Sequence, residues 1–264
     1  MTLHRGDCAT IGLPTGYADL VFTSPPYEDA RTYPGHPPRG QEWVDWAIPR
    51  FLECLRVTHG LVCWVVQGRT RGFQWSATPA LLMADLHRRG VCLRNPPIFH
   101  RVGVPGSGGP DWLRSDYEWI ICATPTRGRL SWSDNTALGH PPIHPRGGRL
   151  SNRLASGARA SRPAPLPAIA NPGNVIKRSV GGDRMGSPLA HKNEAPFPES
   201  LADFFVLSFC PPGGLVVDPM CGSGTTLAVA LAHGRRAYGM DTRASQIALT
   251  RQRLSAPMGK GIHS

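Results

Sequence analysis

Apolar residues in this chain fall into short unbroken runs, separated by stretches with helical spacing. Residues 17–23, Leu61 to Val66, 117–123, Leu215 to Val217 and Arg236 to Met240 read as strands, Leu61 to Val66 and Leu215 to Val217 as buried ones. Between them, Trp43, Trp46, Ala47, Phe51, Leu52 and Leu55 recur at helical intervals, and Gly60 is placed to close that helix. Leu81, Leu82 and Leu86 do the same within residues 79–89, with Gly90 placed as a C-cap. Glu199 to Phe209 is a helix apolar over most of its surface, and residues from Thr225 onward and 244–254 read as two more. Residues 91–101 supply a further strand. Strands alternating with helices predict an α/β fold with a mostly parallel sheet and helices on both faces.

The pattern breaks between Thr124 and Ala190. Pro, Gly, Ser, Arg and Asn dominate there, and neither period is sustained. An irregular segment of this length in a compact domain is functional or partly disordered. It divides the chain into residues 1–123, an insert over 124–190, and residues 191–264. A chain of 264 residues is long enough for one large domain or for a domain with such an insert.

The net charge of +11 and pI of about 9.9 suit a polyanionic partner, with a solvated basic surface as the plain alternative. Between Arg94 and Ala190, twelve Arg and one Lys stand against five acidic residues, a surplus of eight of the eleven charges. Arg is the better bidentate reader of guanine edges and phosphates. The run that includes Arg146, Arg149 and Arg153 is therefore a candidate DNA contact. Seven scattered cysteines without a Cys-x-x-Cys read as buried free thiols in a reducing compartment. No signal peptide is read before His4 and no run approaches a membrane span, so a cytoplasmic protein with no membrane partner is expected. His140 and His144 are four apart but lack a third ligand, and no metal site is expected.

The candidate chemistry begins at Gly214-Leu-Val-Val-Asp-Pro-Met-Cys-Gly-Ser-Gly-Thr-Thr226. A buried strand ends at Asp218, Gly222 and Gly224 permit a tight turn, and a helix follows. This is where a nucleotide-like cofactor binds. The turn lacks the phosphate-loop ending, and Asp218 would repel a phosphate. A second strand ends at Asp241, twenty-three residues later, near the spacing at which a carboxylate reaches ribose hydroxyls. Two acidic strand ends around a Gly-rich turn suit S-adenosyl-L-methionine, which carries a ribose, an amino group and a sulfonium but no phosphate.

Far upstream stands Thr23-Ser-Pro-Pro-Tyr27. With Asp218-Pro-Met-Cys-Gly-Ser-Gly-Thr-Thr226 it resembles the amino-group DNA methyltransferases, which methylate the exocyclic nitrogen of cytosine or adenine. The order of the two motifs resembles the β class. That resemblance covers roughly residues 4–125 and 190–254, and departs from the family at Met220, where Phe is usual. It implies a circularly permuted Rossmann-like fold with a seven-stranded sheet. Residues 91–101 and 117–123 would form its hairpin, and Thr2 to Arg5 would supply the strand missing after the last helix. It places S-adenosyl-L-methionine at Asp218, Pro219, Cys221, Gly222, Ser223, Gly224, Thr225, Thr226 and Asp241. Phe197 would pack near the methionine arm. Asp7 would border the adenine ring, or be a turn aspartate.

The chemistry at Ser24, Pro25, Pro26 and Tyr27 follows from the substrate. An exocyclic amino group is a poor nucleophile because its lone pair is delocalised into the ring. Acceptors for its hydrogens localise that pair, and the Ser24 hydroxyl and Pro25 carbonyl are placed to act so. Tyr27 would stack on a base flipped out of DNA. The loop residues Asp29, Arg31 and Tyr33 would clasp DNA or remain solvated. Ser before Pro-Pro leans to cytosine N4 within the family. Adenine N6, a silent nucleic-acid-binding protein, and an RNA or protein methyltransferase remain the competing readings, and oligomeric state is left open.

Overall fold

The structure is a computed structural model, and it describes residues 1–28, 39–104, 106, 108–143, 148–163, 167–193 and 196–255. In chain order the elements begin with β1 (Thr2–Arg5), β2 (Ala18–Thr23), α1 (Gly40–Val57) and β3 (Thr58–Val66). A small hairpin of β4 (Thr70–Arg71) and β5 (Gln74–Trp75) precedes α2 (Thr78–Arg88), β6 (Cys92–Leu93), β7 (Ile98–Val102) and β8 (Tyr117–Thr124). Then come β9 (Arg149–Arg153), β10 (Arg159–Pro163) and β11 (Val175–Ser179). The last elements are α3 (Glu199–Phe209), β12 (Leu215–Asp218), α4 (Thr225–Ala232), β13 (Arg236–Asp241) and α5 (Ala244–Ser255).

The main sheet runs β1-β13-β12-β2-β3-β8-β7-β11, with β6 also paired to β8. From β1 to β3 neighbouring strands are parallel, whereas β8 is antiparallel to both β3 and β7. β1 fills the edge beyond β13, from Thr2 opposite Tyr238 to Arg5 opposite Asp241, which is the neighbour relation the permuted reading requires. The expected α/β architecture holds, but the sheet has nine strands among the described residues where seven were expected. The two additions are the two-residue β6 and β11, parallel to β7. β11 lies inside the segment expected to be irregular. As an edge strand, with Ile176 its one fully buried residue, it shows no apolar run. β9 and β10 add a second correction there, an exposed two-stranded hairpin.

Period-two alternation splits the core. Val21, Val62, Trp64 and Val217 face α1 and α2, packing on Trp43, Phe51, Leu82 and Leu86. Leu20, Phe22, Cys63 and Val216 face the opposite way, onto Leu201, Phe205, Leu227 and Ile247 of α3, α4 and α5. Gly60 does not end α1 as expected, because the helix passes directly into β3 at Thr58. It serves instead where β2 and β3 shift register between Ala18 and Leu20. A Cβ at Gly60 would stand 1.7 Å from the Asp19 carbonyl oxygen, so only glycine lets the backbones approach. Among the described residues no helix is long and apolar enough to cross a membrane.

β12 and β2 are parallel neighbours, Val216 opposite Leu20 and Val217 opposite Val21. β12 leads into α4 on one face of the sheet and β2 leads towards α1 on the other. The chain thus diverges to opposite faces between these two strands, and a crevice opens beyond their carboxyl ends.

Candidate active site

The two sequence motifs meet at that crevice. Thr23 ends β2 and Asp218 ends β12, and the Thr23 hydroxyl donates to Asp218 Oδ1 at 2.6 Å in a buried bond across 195 residues of chain. Beyond it lies a cavity of about 860 Å³ whose walls include Ser24 to Tyr27, Asp218, Met220 to Ser223, Thr225 and Phe197. Burial pushes the Asp218 carboxyl up to about 6, against hydrogen bonds from Thr23, Thr226 and Met220 that lower it.

The glycine turn is held from behind. Gly222 and Gly224 take φ of +50° and +78°, the left-handed region that favours glycine. A Cβ at Gly222 would also meet the Asn193 amide at 2.7 Å. Cys221 N donates to Met240 O (2.8 Å) and Gly222 N to Asp241 Oδ2 (3.1 Å), tying the turn to β13. From α5, Thr250 Oγ1 donates to Gly222 O (2.7 Å) and Arg253 Nη1 to Thr225 Oγ1 (2.9 Å). Arg253 also pairs with Glu199 at 2.5 Å. Burial pushes the Cys221 thiol far up, which suits a packing side chain and not a nucleophile.

On the opposite wall, the Tyr27 hydroxyl donates to Glu118 Oε2 at 2.8 Å, and Arg101 Nη1 pairs with Glu118 Oε1 at 3.2 Å. Ser24 Oγ lies 3.4 Å from Tyr27 Oη and 3.1 Å from Val65 O. Burial raises the Glu118 carboxyl above the ordinary range, although Arg101 and Tyr27 pull it down. Burial, then the Glu118 charge, raises the Tyr27 phenol. Glu118 and Arg101 both line the cavity, and the sequence reading missed them. The available signal was a carboxylate inside the apolar run of residues 117–123.

The remaining expected residues divide. Pro25, Pro26 and Phe197 line the cavity, with Pro26 O accepting from Trp43 Nε1 (3.0 Å) and the Phe197 ring edge-on to Phe22 at 5.3 Å. Pro219, Gly224 and Thr226 frame the turn without lining it, and Thr226 Oγ1 donates to Phe22 O (3.4 Å). Asp241 is buried behind the turn, accepting from Gly222 N and from Arg243 N (2.9 Å). Asp7 stands outside the cavity walls, ion-paired with Arg50 at 2.5 Å and accepting from Ala9 N. Arg149 and Arg153 lie on the exposed β9–β10 hairpin, away from the cavity lining. Arg146 lies outside the described residues, as do Asp29, Arg31, Tyr33 and His144.

Comparison with known proteins agrees with this geometry. The chain is similar to DNA adenine methyltransferase YhdJ of Escherichia coli (strain K12), 25% identical over 92% of this chain and 78% of that protein. It is similar to orphan methyltransferase M.BamHII of Bacillus amyloliquefaciens, 26% identical over 96% and 92% of the two chains. Its fold is shared with the PvuII DNA methyltransferase (cytosine-N4-specific), with a TM-score of 0.72 at 19% identity over 98% and 87% of the chains. The Thermus thermophilus protein TTHA0409, solved in complex with S-adenosyl-L-methionine, matches with a TM-score of 0.63 at 23% identity over 96% and 93%. The N6/N4 family profile, described as DNA methylase, matches residues 18–252. The chain belongs to that family, the amino-group DNA methyltransferases.

Proposed function

We propose that this methyltransferase moves a methyl group from S-adenosyl-L-methionine to the exocyclic N4 of a cytosine flipped out of DNA. The observation that carries the reading is the pairing of Ser24 and Asp218 on one cavity. A neutral hydroxyl acceptor for an amino group faces the turn that receives the cofactor. Adenine N6 is the second reading, favoured by the name of the Escherichia coli relative, whereas the PvuII enzyme is specific for cytosine N4.

The residues present fit the cofactor. Asp218 is buried, its donors Thr23 and Met220 N are uncharged, and the nearby Asp241 carboxylate raises it further. A cationic ligand group offsets that unfavourable charge. Asp218, Gly222, Ser223 and Thr225 would hold the amino-acid and ribose portion, with Phe197 against the methionine arm. Asp241 would offer a ribose hydroxyl the lone pair left beyond those it gives to Gly222 N, Arg243 N and Arg243 Nε. When bound, the cofactor supplies an electrophilic methyl carbon. The chain's own contribution is positioning and dipoles. Ser24 and the Pro25 carbonyl accept the amino hydrogens and aim the nitrogen lone pair. The buried walls exclude water, and Tyr27 offers a ring face to the base.

The segment 124–190 is proposed to choose the site on DNA. Its β9–β10 hairpin sets Arg153 directly opposite Arg159. Like charges across strands are destabilising, and a phosphate between them relieves the repulsion. A cytoplasmic location fits such a protein.

Three outcomes are expected. First, nucleosides from DNA treated with enzyme and cofactor should contain N4-methylcytosine, and Ser24→Ala should slow that transfer far more than it weakens cofactor binding. Finding N6-methyladenine alone would select the second reading. Second, Asp218→Asn should stabilise the cofactor-free protein above pH 6. A carboxyl raised from 3.8 to about 6 lowers stability as pH climbs through that window, by about 3 kcal/mol when complete. Melting curves of variant and wild type should converge below pH 4, while calorimetry shows the variant losing cofactor affinity. Third, replacing Arg149 and Arg153 by Gln should weaken DNA binding and flatten its salt dependence, with cofactor affinity unchanged. Equal slopes would assign the hairpin no phosphate contact.

A further inference from the structure

We infer that Glu118 is a positioning residue and the terminal proton acceptor of the transfer, reached from the target amino group through Ser24 and Tyr27. The inference rests on the reading of the site as an amino methyltransferase centre. Three separate chain segments build the path. Ser24 and Tyr27 follow β2, Glu118 belongs to β8, and Arg101 to β7. Ser24 Oγ stands 3.4 Å from Tyr27 Oη, Tyr27 Oη 2.8 Å from Glu118 Oε2, and Arg101 Nη1 3.2 Å from Glu118 Oε1. All four line the cavity.

The donor order gives this chain a direction. Tyr27 spends its proton on Glu118, so its oxygen is free to accept. Ser24 has one hydroxyl proton, which goes to Val65 O or to Tyr27 Oη, and either choice leaves serine lone pairs for the amino hydrogens. In the transfer the N–CH₃ bond forms as the methyl–sulfonium bond breaks, and that bond's electron pair remains on sulfur. The nitrogen must then lose one proton. It passes to Ser24 Oγ while the serine proton moves to Tyr27 Oη and the tyrosine proton to Glu118 Oε2. Serine and tyrosine end as they began, and Glu118 ends neutral. Burial raises the Glu118 carboxyl overall and makes it a better acceptor than an exposed glutamate, while the Arg101 guanidinium beside it favours the ionised form. Glu118 faces the cationic Arg101 guanidinium and the neutral phenol of Tyr27. At the rim beyond, Asp116 pairs with His100 at 3.6 Å and with Arg114 at 3.7 Å.

A buried Tyr–Glu–Arg cluster also supports a fold, and the test separates the two roles. Single-turnover methyl transfer to DNA, with cofactor kept saturating at every pH so that Asp218 does not set the profile, is followed from about pH 5 to 9 for wild type, Glu118→Gln, Tyr27→Phe, the double variant and Glu118→Asp. Cofactor affinity by calorimetry reports that each variant is folded. The wild-type rate should fall as pH drops through a value above the ordinary glutamate range, because only ionised Glu118 accepts the proton. Glu118→Gln and Tyr27→Phe should each lose about a hundredfold, within the range of general acid–base effects. The acidic limb should vanish in Glu118→Gln and survive in Glu118→Asp. The double variant should be no slower than the slower single one, and cofactor affinity should hold within about twofold. A wild-type rate in Tyr27→Phe, an acidic limb persisting in Glu118→Gln, or losses that multiply would overturn the relay. If wild type failed to methylate DNA at all, the functional reading would fall first and the relay with it.

Discussion

The buried hydrogen bond from Thr23 to Asp218 joins the two halves of this protein's chemistry. It closes the carboxyl ends of β2 and β12, which the sheet makes parallel neighbours although 195 residues separate the two side chains. Parallel pairing brings both carboxyl ends to one edge, and helices leaving to opposite faces open the crevice between them. The Ser24–Tyr27 turn and the Pro219–Gly224 turn then face one cavity without either having to reach. Everything behind them braces this arrangement. α5 holds the glycine turn through Thr250 and Arg253, and Trp43 of α1 holds Pro26.

The same crevice concentrates unfavourable charge. Asp218 and Glu118 are both carboxyls raised by burial, one on each wall. A core selected for stability alone would place neutral residues there, since an incompletely compensated buried carboxylate costs free energy at neutral pH. The two carboxylates are compensated differently. Glu118 has Arg101 as a built-in cation. Asp218 has hydroxyl and backbone donors, which makes its environment complementary to a cation that arrives from outside. Under the proposed function, that difference separates a wall suited to the cofactor from a wall suited to a neutral base.

The legible parts of this protein were those encoded locally. The β12–turn–α4 unit was readable because an apolar run, an aspartate, two spaced glycines and an Ala-rich stretch follow one another without interruption. α1 and α2 were readable from helical spacing alone. Glu118 and Arg101 were hidden because their roles depend on how β7 registers against β8, with Phe99 opposite Glu118, and no local pattern carries that register. β11 was hidden because an edge strand needs only one buried residue. Asp7 shows a contact that no motif carries: its carboxylate pairs with Arg50, a partner forty-three residues away. Asp241 lies between these cases. Its place at the end of a strand was readable, but its bond from Gly222 N was not carried by the spacing.

The most direct test of the link between the two halves is Thr23→Val, which keeps the side chain's size and removes the hydroxyl. Single-turnover methyl transfer and cofactor affinity are measured on the same preparation. A lost hydrogen bond to a buried carboxylate is worth roughly 1.5–3 kcal/mol. Cofactor affinity should therefore fall by about tenfold or more, and the transfer rate at saturating cofactor should fall with it, because the Ser24 turn loses its anchor to Asp218. Wild-type affinity together with a wild-type rate would contradict the account, and would mean that the sheet alone holds the two turns in place.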